Sequence, residues 1–127
     1  MNSIKNHIDE VMERISRAAE KACRRPEDIR LMAVSKTKPL ELIEKAYGAG
    51  QRLFGENRVQ EAYEKFRDFH DDAELHILGH LQSNKAKKAV EIATCVQSVD
   101  RVKTAEELLE WTGLEPSEQG GAGGEER

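Results

Sequence analysis

Cysteine, proline and aromatic residues are all scarce in this chain. Of 127 residues, two are Cys, three Pro, and only 5% Phe, Trp or Tyr. Cys23 and Cys95 lie too far apart for a metal-binding or redox motif, and two thiols make no disulfide framework. No apolar run approaches the ~18 residues of a membrane helix, and the polar start Met1-Asn2-Ser3-Ile4-Lys5 is no signal peptide. Charge of one sign is lacking too: 20 basic side chains face 24 acidic ones. With 35% charged residues and a mean hydropathy of -0.71, the composition is that of a water-soluble folded domain, with a cytoplasmic setting as the expectation.

The net charge of -4 is unevenly spread. Residues 105–127 hold seven Glu and one Arg, whereas the preceding part is nearly neutral. A neutral body with an acidic end points to neither a nucleic-acid nor a membrane partner. Phosphate loops of the Walker type, a Gly-x-Ser-x-Gly elbow and paired-carboxylate spacing are also missing.

What is present is a repeating alternation. Ile4, Ile8, Val11, Met12, Ile15 and Ala19 recur at three- and four-residue steps, predicting a helix with Ser3 as its N-cap. Short apolar runs then begin at Leu31, Leu53, Leu75 and Cys95, each followed by a helical pattern. Such spacing predicts consecutive βα units with parallel strands. Two architectures accommodate them, a doubly wound sheet or the first half of a (β/α)8 TIM-type barrel. The turn after the first strand, Ser35-Lys36-Thr37-Lys38-Pro39, has no glycine. That and the regular spacing favour the barrel. A partial barrel domain is therefore expected over residues 1–111, with a flexible Gly/Glu-rich tail over 112–127. The open sheet edges of four strands would favour self-association.

In βα architectures the chemistry collects where strands end. Four turns deliver polar groups there: Ser35-Lys36-Thr37-Lys38, Gly55-Glu56-Asn57-Arg58, Gly79-His80-Leu81-Gln82 and Ser98-Val99-Asp100-Arg101. If Lys36 continues the inward parity of Met32 and Val34, its amine enters the mouth of the sheet. Removal from water favours the neutral amine, the form that attacks an aldehyde. A solvated lysine after a strand is the other reading, and the residues leave both standing. Asn57 has the position of a helix cap or of a cofactor contact. Glu56 is placed to meet a Lys or Arg. His76 and His80 lack a third ligand, so no metal is expected, and His76 reads as a hydrogen-bonded core histidine. Lys85, Lys87 and Lys88 read as a solvated face.

The stretches Ala33–Pro39, Phe54–Ala62, His76–Lys85 and Ser98–Arg101 closely resemble those of the pyridoxal phosphate homeostasis protein family, related to the N-terminal barrel domain of alanine racemase. The resemblance covers roughly residues 4–110. It implies a barrel holding pyridoxal 5′-phosphate as a Schiff base on Lys36, with Asn57 near the cofactor and the loop around His80 bordering the pocket. It further implies a non-catalytic role in vitamin B6 and amino-acid homeostasis. A pyridoxal phosphate-dependent amino-acid racemase and an inactive fragment are the alternatives. After Trp111 the family pattern stops, and the phosphate-binding elements belong to later strands. The chain by itself is therefore expected to bind the cofactor weakly.

Overall fold

Ser3 opens the first helix as its spacing predicts, its hydroxyl accepting the Asn6 amide at 3.1 Å. The computed structural model describes residues 3–113. Helix α1 (Ile4–Lys21) leads to β1 (Ala33–Val34), α2 (Leu40–Gly48), β2 (Leu53–Glu56), α3 (Val59–Phe66) and β3 (Glu74–Ile77). Then follow α4 (Ala86–Ile92), β4 (Cys95–Val96) and α5 (Val102–Thr112). Single 3-10 turns precede β1, at Pro26–Asp28, and α4, at Ser83–Lys85.

All four strands are parallel, in the order β1-β2-β3-β4. That order never reverses. Right-handed crossovers between successive neighbours place every connecting helix on the same side of the sheet, whereas a doubly wound sheet needs a reversal point. The chain is thus an α/β fold with one helix layer, consistent with part of a TIM-type barrel.

The two sheet faces differ because strand side chains alternate. In register on the helix side, Ala33, Phe54 and Leu75 meet Ile43 and Ala46 of α2, and Val59, Ala62 and Phe66 of α3. Phe66 and Phe69 lie 5.0 Å apart between ring centroids, and Phe54 packs on both. Burial of each such large apolar side chain contributes about 1.5–3 kcal/mol. Across the sheet, Val34, Gly55, His76 and Cys95 align on the opposite face. There Val34 is 48% exposed. A parallel sheet ordinarily has both faces covered. Among the described residues this one has a covered face and an open one.

The expected strands start close to where they are found, but β1 and β4 are shorter than their apolar runs. As outer strands they pair on one side only. Helix α5 extends through Thr112 and closes on Gly113, whose φ of +75° suits a left-handed cap. The remainder of the expected tail lies outside the described residues.

Candidate functional site at the strand ends

The strand ends are stitched together by backbone bonds just past the assigned strands. The Ser35 amide donates to the Gly55 carbonyl at 2.9 Å, the Leu78 amide to Glu56 at 2.7 Å, and the Gln97 amide to Ile77 at 3.0 Å. The Ser98 hydroxyl donates to the Gly79 carbonyl. Lys36 and Asn57 therefore follow directly from paired residues on neighbouring strands, and His80 stands at the next strand end. The three predicted residues share one rim.

Their surroundings differ from expectation in two respects. Ser35 turns toward the helix layer, bonded to Glu56 and Lys65, and Lys36 follows it in the turn that the Lys38 amide closes on the Ser35 carbonyl. Lys36 is exposed. The four βα units alone do not take its amine out of water. Asn57 is half-buried but does not cap α3: the N-cap is Arg58, and no side chain caps that end. Asn57 contributes its backbone instead. A Cβ added to Gly79 would fall 2.4 Å from the Asn57 carbonyl oxygen, so only glycine permits this approach.

Beneath the rim, the open face has an apolar floor. Met32 Sδ and Leu78 Cδ1 occupy the space above Gly55, where an added Cβ would meet them at 2.6 and 2.8 Å. Toward the lower end of β3, His76 bonds the Gln97 amide group at 2.8 Å and Glu74 Oε2 at 3.2 Å, as a hydrogen-bonded histidine should. Arg30 clamps the same Glu74 at 2.7 Å. The hydrogen bonds from Arg30 and then His76 pull the Glu74 carboxyl from 4.5 down to about 2. His80 Nδ1 faces Asp100 Oδ2 at 3.4 Å, both side chains being about half exposed.

On the helix side the end of β2 carries a charge cluster. Glu56 is fully buried, accepting from the Ser35 hydroxyl and from Lys65 Nζ at 3.1 Å. Lys65 also donates to the Ser35 carbonyl at 2.8 Å and pairs with Glu61 at 2.7 Å. Glu61 in turn accepts the Thr37 amide at 2.7 Å. The Lys65 bond, helped by the Thr37 amide, holds the Glu61 carboxyl below its usual range against partial burial. The partner expected for Glu56 is thus Lys65. The part played by Glu61 escaped sequence reasoning, although its four-residue spacing from Lys65 is a visible helical pair.

Tyr47 and Tyr63 both belong to the helix layer. Tyr47 donates to Asp72 and stacks on His70 at 3.8 Å, and Tyr63 lies under Arg67 and Lys88. Lys88 also donates to Gln60, and Lys87 lies over the Trp111 ring at 5.1 Å, so two of the three lysines expected as a solvated face have partners.

No family model matches the chain. Among curated proteins it is 44% identical over 112 residues to the pyridoxal phosphate homeostasis protein of Escherichia coli (strain K12), covering 85% of this chain and 48% of that protein. The namesake from Vibrio alginolyticus is 42% identical over 113 residues, with the same coverage. Among solved structures, PipY of Synechococcus elongatus, a COG0325 family member with PLP bound, is 47% identical with a TM-score of 0.64. That alignment covers 78% of this chain and 48% of PipY. A protein of unknown function from Bifidobacterium adolescentis gives a TM-score of 0.74 at 31% identity, over 84% of this chain and 48% of its own. The chain spans about half the length of the curated relatives it matches. Four strand-end motifs, one parallel sheet and these identities make it similar, over about half their length, to the pyridoxal phosphate homeostasis proteins.

Proposed function

We propose that this chain supplies the lysine half of a pyridoxal phosphate-holding site, and that its role is to carry the cofactor in vitamin B6 and amino-acid homeostasis without turnover. The observation that carries this reading is that Lys36 is exposed just past the C-terminal end of β1, directly after Ser35, whose amide pairs with the Gly55 carbonyl of β2. Pyridoxal 5′-phosphate supplies an aldehyde, which a neutral primary amine converts reversibly to an imine with release of one water. The residues present fit that group in part. Lys36 offers the amine, Met32, Gly55 and Leu78 an apolar floor for the ring, and Asn57 and His80 polar edges.

The runner-up, a racemase, needs a second acid/base on the opposite side of the cofactor. Tyr47 and Tyr63 are the chain's two tyrosines, and both are engaged in the helix layer. This supports the non-catalytic reading. Self-association through the outer strands β1 and β4 belongs to the same reading, because their free edges carry unpaired backbone groups. So does a cytoplasmic setting, where the free thiols of Cys23 and Cys95 stay reduced. No helix among the described residues is long and apolar enough to cross a membrane, and no membrane or nucleic-acid partner is proposed.

Borohydride reduction of the chain mixed with pyridoxal 5′-phosphate, followed by peptide mapping, tests the assignment. The adduct is expected at Lys36 ahead of the other nine lysines. Labelling that follows side-chain exposure alone would overturn it.

A further inference from the structure

The cluster beneath β1 and β2 touches both neighbours of Lys36 and leaves Lys36 itself untouched. On one side, Ser35 is held by its hydroxyl to Glu56 and by its carbonyl to Lys65 Nζ at 2.8 Å. On the other, the Thr37 amide is held by Glu61 Oε2 at 2.7 Å. Lys65 joins the two carboxylates, at 3.1 Å from Glu56 and 2.7 Å from Glu61. Thr37 has a φ of +60°, in the left-handed region that a β-branched residue avoids. Such a conformation persists only where its surroundings over-determine it. Here the Glu61 carboxylate caps the Thr37 amide, while the Thr37 hydroxyl donates to the Lys36 carbonyl at 2.5 Å.

We infer that Glu56, Lys65 and Glu61 are positioning residues that clasp the backbone on both sides of Lys36 and fix the direction in which its amine leaves the strand. The inference rests on the reading of Lys36 as the residue that takes the carbonyl. A free lysine side chain has four rotatable bonds, so fixing its backbone restricts where the amine presents itself without burying it. The cluster lies on the covered side of the sheet, and the residue whose backbone it flanks is exposed. A cluster that served packing alone would have no reason to cap the amide of a strained residue in an exposed turn.

The test compares adduct distribution after borohydride reduction of the full 127-residue chain with pyridoxal 5′-phosphate. Glu61→Ala removes the acceptor of the Thr37 amide, and the Lys36 share of the adduct should fall about threefold to tenfold, the factor that one net hydrogen bond represents. Glu61→Gln keeps an acceptor oxygen and should recover most of that share, which a general loss of stability would not produce. Glu64→Gln, on the same helix and among the described residues bonded to Gln60 alone, should leave the distribution unchanged. A wild-type chain without Lys36 preference would overturn the lysine assignment, and this inference with it. Selective wild-type labelling that survives Glu61→Ala would overturn the clasp alone. Should Glu61→Ala fail to fold, the wild-type Thr37 amide decides by hydrogen exchange. Protection despite its exposed turn supports the clasp, and exchange at the unprotected rate overturns it.

Discussion

Gly79 passes so close to Asn57 that a methyl group on its Cα would stand 2.4 Å from the Asn57 carbonyl oxygen. The obstacle is backbone, which cannot rotate away as a side-chain tip can. Gly79→Ala should therefore push apart the ends of β2 and β3, with a destabilisation of about 1–3 kcal/mol from overpacking. Urea denaturation measures it. A variant as stable as the wild type would show that the two turns have room to separate.

Lys65 is largely buried beside a fully buried Glu56. Removing one partner of such a pair leaves the other charge without compensation, a loss of about 3–5 kcal/mol. Lys65→Met should reach that range, because Glu56 Oε1 already accepts no hydrogen bond from a described residue and Glu56 Oε2 would lose one. The paired replacement of Lys65 by Met and Glu56 by Leu should recover part of the loss. A denaturation midpoint close to wild type for Lys65→Met alone would contradict this account.

The local rules explain which features the sequence made legible. Ser3 caps α1, Gly50 follows α2 at a φ of +106°, and the apolar runs at 53 and 75 became paired strands. Each depends on neighbours a few residues away. The site divides along the same line. The rim position of Lys36 follows from its place just after the first strand, but its exposure depends on what packs around that rim, which a local pattern does not encode. Asn57 has the composition of a cap, yet its backbone lies close against Gly79 and the helix starts one residue later. The Lys65 bond to the Ser35 carbonyl spans thirty residues and arises only once α3 lies on the sheet.

Acid should weaken the fold through Glu74. Arg30 and His76 hold its carboxyl at about 2 in the folded chain against an ordinary 4.5. Above pH 4.5 the group is ionised in both states, and its full contribution to stability is present. As pH falls below 4.5 the unfolded chain takes up the proton first, so this contribution shrinks, and it is gone below about pH 2. Glu74→Gln should flatten that part of the stability profile between pH 4.5 and 2 while leaving Asp72 and Glu61, both also lowered, to act in the same direction. An unchanged slope in the variant would remove Glu74 from the acid response.

An exposed amine limits how tightly this chain holds an aldehyde. Lys36 is exposed, so water competes for the carbonyl and returns the imine to its components. The phosphate contributes only where charge-assisted hydrogen bonds await it, each worth about 1.5–3 kcal/mol. We propose that those donors lie outside these four βα units, since the chain spans about half of its curated relatives. Absorbance titration of the 127-residue chain with pyridoxal 5′-phosphate should therefore give half-saturation above about 100 μM, equivalent to less than about 5.5 kcal/mol of binding free energy. Lys36→Ala should remove the Lys36 adduct and leave only scattered labelling of other lysines. Saturable micromolar binding that is lost in Lys36→Ala would mean that these four βα units already enclose the amine.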